Sequence, residues 1–86
     1  MVVMDLGDRS HKINHDGPVT VWRQVADDIE AEIESGQLQP GWKLPAEVDL
    51  ARAYGIARNT VRRAIAELEE TGKVDVVHGR GTFVAE

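Results

Sequence analysis

Tyr54-Gly55-Ile56-Ala57-Arg58-Asn59-Thr60-Val61-Arg62-Arg63 is the stretch on which the rest of the chain turns. Upstream of it, Glu47 to Tyr54 reads as a short helix with Val48, Leu50, Ala51 and Tyr54 available for packing. Gly55 ends that helix, and a second runs from about Arg58 to Thr71, with Gly72 at its stop. Two helices joined by a glycine-containing turn of three or four residues make a helix-turn-helix unit. At about 100° per residue, Val61, Ala64, Ile65 and Leu68 share one face of the second helix, and Ile56 plugs the core beneath the turn. Asn59, Arg62, Arg63 and Ala66 lie on the opposite face.

That opposite face has the chemistry of a base reader. In a helix-turn-helix unit the second helix lies in the major groove and presents its N-terminal residues to base edges. Arg is bidentate to guanine, Asn is bidentate to adenine, and Thr offers a hydroxyl. Arg58, Asn59, Thr60 and Arg62 supply these groups on a helix start whose free N–H groups also suit a phosphate. Three arginines alone describe any solvated helix face equally well. The glycine turn before them, the acid-free first turn and a glycine loop further on favour duplex DNA.

The flanking segments complete a small α+β fold. From Thr20 to Ser35, Trp22, Val25, Ile29 and Ile33 recur at spacings of three and four, which predicts an amphipathic helix closed by Gly36. Asp27, Asp28, Glu30 and Glu34 lie off that stripe and read as a solvated face. Pro40-Gly41 marks a turn, and Trp42-Lys43-Leu44 fits a very short strand. Lys73 to Val77 and Thr82 to Val84 read as a hairpin around His78-Gly79-Arg80-Gly81. The glycines serve any tight hairpin; Arg80 between them suits a narrow minor groove. The expectation is a winged helix-turn-helix over residues 18–86, with three helices and a hairpin wing. Residues 1–17, rich in Asp, Gly, His and Asn and without apolar period, read as a disordered arm. His11 and His15, with Asp8 and Asp16, have the residue types of a metal site, but such an arm gives them no scaffold. Trp22 and Trp42 sit among apolar packing positions and read as core or near-core.

Composition sets the outer bounds. Eighty-six residues suit one domain, and the absence of cysteine removes disulfides and thiolate zinc sites. No apolar run reaches the roughly 20 residues of a membrane span, so a cytoplasmic protein is expected. The net charge of −5 is unusual for a DNA-binding domain. Its distribution matters more than its total: residues 1–57 hold five Lys/Arg and ten Asp/Glu, whereas residues 58–86 hold five of each. No nucleophile–base pair is present, so an enzyme is not expected, nor is a cofactor.

Residues 18–86 resemble, nearly end to end, the N-terminal winged-helix domain of GntR-type bacterial transcription regulators, most closely the HutC-like or YtrA-like branch. The resemblance rests on Gly36-Gln37-Leu38-Gln39-Pro40-Gly41, Leu44-Pro45-Ala46-Glu47, Leu50-Ala51 and Arg58-Asn59-Thr60-Val61-Arg62. It continues through Ala64, Leu68 and Gly72 to Gly79-Arg80-Gly81-Thr82-Phe83-Val84. It implies that Arg58 and Arg62 contact bases and phosphates, that Thr60 contacts a phosphate, and that Gly79 lets the wing enter the minor groove beside His78 and Arg80. Ala46, Val48, Ala57 and Lys73 depart from the family pattern, which commonly has Ser, Arg, Ser or Thr, and an apolar residue there. The resemblance further implies a repressor whose C-terminal ligand-sensing and dimerising domain would start where this chain stops, so an excised DNA-binding piece is favoured over a minimal regulator. A homodimer on a palindromic operator is then expected only with that domain or on DNA. Two rivals stay open: a winged-helix protein-interaction module, and the DNA-binding head of a larger fused protein.

Overall fold

The computed structural model describes residues 6–86. Its core is a three-helix arrangement: α1 spans Val21–Glu34, α2 Glu47–Tyr54 and α3 Arg58–Glu70. Two strands follow, β1 at Val74–Val77 and β2 at Gly81–Val84, and a single 3-10 turn at Ser10–Lys12 precedes α1. The expected winged helix-turn-helix is therefore present, with helix ends within a residue of their sequence-predicted positions.

Periodicity explains the packing. Val25, Ala26 and Ile29 of α1 meet Val61, Ala64, Ile65 and Leu68 of α3, and Leu50, Ala51 and Tyr54 of α2 close the third side. All are buried, while Trp22, Ile33, Trp42 and Ile56 are partly buried against them. Leu38 and Leu44 from the α1–α2 connection and Val74 and Val84 from the strands seal the open end.

β1 and β2 pair antiparallel in the register Val74 with Val84 through Val77 with Gly81. Lys73 does not join β1 as expected. Its N–H donates to the Leu68 carbonyl at 2.8 Å, finishing the C-terminus of α3, and its ammonium reaches Glu30 at 3.5 Å. The short strand expected at 42–44 is a single bridge, Lys43 to Phe83. The Leu44 N–H donates to the Thr82 carbonyl and the Val84 N–H to the Trp42 carbonyl, both at 2.8 Å. These bonds fasten the wing to the loop that leads into α2.

Residues 6–17 differ from the disordered arm expected of them; the arm's first residues, 1–5, lie outside the described residues. Ile13 is buried in the core and Leu6 packs against it. The Arg9 side chain is 9% exposed and pairs with Asp28 at 2.7 Å and with Glu32. The Arg9 backbone N–H donates to the Ala53 carbonyl at 2.8 Å. The Tyr54 hydroxyl donates to Asp28 at 2.6 Å, and Lys12 to the same carboxylate at 3.0 Å. Gln24 holds the stretch after the turn, donating to the Asn14 and Val19 carbonyls at 2.8 Å. Burial raises the Asp28 carboxyl, but the Tyr54 hydroxyl, Lys12 and Arg9 together hold it below its ordinary value. Burial and the Asp28 contact push the Tyr54 hydroxyl well up. Composition hid this because residues 6–17 offer only Leu6 and Ile13 as aliphatic side chains; they are also held by a cation that neutralises carboxylates on α1 otherwise legible only as a solvated face.

The start of α3 yields a first prediction. Ala57 occupies the N-cap position with extended backbone, φ −72° and ψ 150°, and no side chain caps the helix. Ala57→Ser places an acceptor there, and the urea midpoint is expected to rise by the equivalent of about 0.5–2 kcal/mol. An unchanged midpoint would show that solvent already serves those N–H groups equally well.

Candidate nucleic-acid interface

The turn between α2 and α3 is built on one residue. Gly55 is left-handed, φ 69° and ψ 40°. Its N–H donates to the Arg52 carbonyl at 3.3 Å and that of Ile56 to the Ala51 carbonyl at 3.0 Å. This pair of bonds is the Schellman closure, which needs a residue without a Cβ penalty at the reversal. Ile56 then packs on the core, and α3 departs with its buried stripe inward.

That orientation leaves the start of α3 in solvent. Arg58 and Arg62 are 57% and 60% exposed, Asn59 is exposed and Thr60 is half-buried. Arg58 and Arg62 converge on one carboxylate. Arg58 Nη2 lies 3.3 Å from Glu47 Oε1, and Arg62 Nε lies 3.2 and 3.3 Å from its two oxygens. Arg63 leaves this cluster: its guanidinium stacks 4.6 Å from the Trp22 ring on α1. Trp22 is also covered by Arg23, which pairs with Glu67 at 3.0 Å. The α3 arginines predicted to share a surface are thus divided between two neighbours.

The wing supplies the second wall. His78, Gly79 and Arg80 form its exposed tip, and Gly79 has φ 79°, a conformation that favours glycine. Between the wing and the start of α2 runs an open cleft of about 640 Å³, lined by Lys43, Glu47, Leu50, Val76, His78 and Arg80 among others. Glu47 is the link: it faces this cleft and holds the two arginines of α3. Among the described residues, the Lys and Arg side chains with no carboxylate partner are Lys43, Arg63 and Arg80. Two of those three line the cleft, so the acidic total conceals a local excess of unpaired cation. The sequence reading missed Lys43 and Glu47. Lys43 enters the site through its pairing with Phe83, and no signal local to it announces that contact. Among the described residues, no three His, Asp or Glu side chains form a group able to hold a metal ion.

Comparison with known proteins settles the family. The bacterial regulatory proteins of the gntR family match residues 22–84. The chain belongs to the gntR family. It is 38% identical over 73 residues to the HTH-type transcriptional repressor NagR of Bacillus subtilis, covering 85% of this chain and 30% of NagR. The chain therefore spans less than a third of that relative's length. Among solved structures it superposes on YtrA of Sulfolobus acidocaldarius, a GntR-family transcription factor, with TM-score 0.80 and 35% identity over 87% of this chain and 79% of YtrA. The AraR(DBD) domain, crystallised in complex with operator ORX1, gives TM-score 0.75 and 35% identity over 85% of this chain and 94% of that one. The GntR winged helix is thus the fold of this chain, with three helices and the β1–β2 hairpin as the wing.

Proposed function

We propose that this GntR-family domain binds duplex DNA in sequence-specific fashion, as the DNA-anchoring part of a cytoplasmic transcription repressor. The observation that carries this is the continuity of one surface: the exposed start of α3, Glu47, and a cleft walled by Lys43 and the Arg80 wing. Its likeness to a domain crystallised with an operator supports the reading. Arg58, Asn59 and Arg62 meet base edges in the major groove. Thr60 holds phosphate, and His78, Gly79 and Arg80 lie at the minor groove, with Arg63 at the flank where Trp22 holds it. The domain binds rather than catalyses. One chain serves each half-site, and the two-fold comes from a palindromic operator or a dimerising domain.

The test is selection of bound sites from random duplex DNA, followed by fluorescence anisotropy on a selected and a scrambled duplex at several salt concentrations. Arg80→Ala is expected to weaken both duplexes alike and to lower the slope of log K against log salt by about one. No enrichment in the selection, with Arg80→Ala binding as wild type, would transfer this face to a protein partner.

A further inference from the structure

The Arg58–Glu47–Arg62 cluster does something that a list of DNA-contacting residues does not require. A carboxylate placed among the groups that meet DNA repels phosphate and cancels part of the charge that drives sequence-independent binding. It opens α2, whose first turn is acidic, yet it turns toward α3 and reaches both exposed arginines at 3.2–3.3 Å. The cations nearest the wing, Lys43 and Arg80, are left unpaired. Glu47 therefore discriminates between the two kinds of cation on this surface.

The atoms used explain how. A guanidinium has five N–H donors in a planar fork. Glu47 takes Nε of Arg62 and one edge of Nη2 of Arg58, so on each arginine a further pair of N–H groups stays free. That pair is what bidentate contact with guanine uses. Glu47 also neutralises part of the charge of each guanidinium, so a phosphate of a non-cognate duplex is attracted to them less strongly. We propose that Glu47 is a specificity-determining residue: it tethers Arg58 and Arg62 in the pose that reads base edges and withholds them from phosphates. The proposal rests on the reading of Arg58 and Arg62 as DNA contacts and adds the reason that an acidic domain keeps an acid there.

Glu47→Gln keeps the shape and removes the charge. With anisotropy on the selected and scrambled duplexes, this variant is expected to bind the scrambled duplex roughly threefold to tenfold tighter, the size of two exposed ion pairs sharing one carboxylate. Its salt slope on that duplex steepens by about one. Binding to the selected duplex gains less than this, because the lost hold on Arg58 and Arg62 offsets the lost repulsion, so discrimination falls. Glu69→Gln, the same charge change near the far end of α3, calibrates the effect of net charge alone. In an Arg58→Ala/Arg62→Ala background the Glu47→Gln gain disappears, because nothing is left to release.

Three results would overturn the tether. One is Glu47→Gln matching Glu69→Gln on both duplexes, and another is the gain persisting without the two arginines. The third is loss of the selected duplex with the scrambled one unchanged, which would make Glu47 a base contact. If instead Arg58→Ala/Arg62→Ala binds both duplexes as wild type does, α3 is not the DNA face and the underlying reading fails first.

Discussion

Tyr54→Ala is expected to lower the unfolding free energy by about 3–5 kcal/mol, the usual range for removing a fully buried aromatic ring. Tyr54 is the largest fully buried side chain in the domain. It closes α2 immediately before the Gly55 reversal, and its ring also lies under the Arg9 guanidinium at 5.9 Å. At roughly 4–8 °C per kcal/mol for a domain of this size, the melting temperature should fall by more than about 12 °C. Tyr54→Phe isolates the hydroxyl. Asp28 keeps Arg9 and Lys12, so the expected cost is about 1–2 kcal/mol. The two variants also differ from wild type in acid. Asp28 is held below its ordinary value in the fold, so its contribution is complete above the ordinary carboxylate range and is lost as pH falls below about 4. Removing the Tyr54 hydroxyl raises Asp28, so the acid loss of Tyr54→Phe should be shallower. Urea denaturation from pH 7 to pH 2 measures both effects. A Phe variant with the wild-type midpoint throughout would mean that the hydroxyl–carboxylate bond contributes nothing net.

Arg58→Ala is expected to weaken specific binding by about 1–3 kcal/mol, roughly fivefold to 150-fold, and to relax preference at one base position. The side chain is exposed at the first residue of α3 and held by a single contact to Glu47. Its removal therefore leaves the fold intact, and the loss appears in binding alone. On a scrambled duplex the loss is smaller, which separates Arg58 from Arg80, whose loss is uniform. Anisotropy on the selected duplex and on its single-position variants gives the profile. Wild-type affinity with an unchanged profile would remove the start of α3 from the interface and leave the protein-interaction rival in front.

The elements that carry this surface announce themselves within a few residues of chain. Gly55 marks the reversal because the left-handed position there has few other occupants. Val61, Ala64, Ile65 and Leu68 mark the buried stripe of α3, which leaves Arg58, Asn59 and Arg62 outward by exclusion. His78-Gly79-Arg80-Gly81 marks the wing tip in the same way. Turn chemistry and a period of 3.6 or 2 are properties of adjacent residues, so sequence alone determined the helices, the hairpin and the exposed residues at the start of α3.

Which charges those residues meet is another matter. Arg58 and Arg62 reach Glu47, Arg63 reaches Trp22, Lys43 faces the cleft beside Arg80, and Arg9 crosses from the arm to Asp28 and Glu32. Each pairing joins elements whose separation along the chain says nothing about their distance in space. It is set by how α1, α2 and α3 cross once their apolar stripes are buried, and long flexible cations then take whichever carboxylate or ring lies within reach. Only the tertiary structure decided that residues 6–17 are held against the helices, that Arg63 is diverted, and that one glutamate pairs with both Arg58 and Arg62.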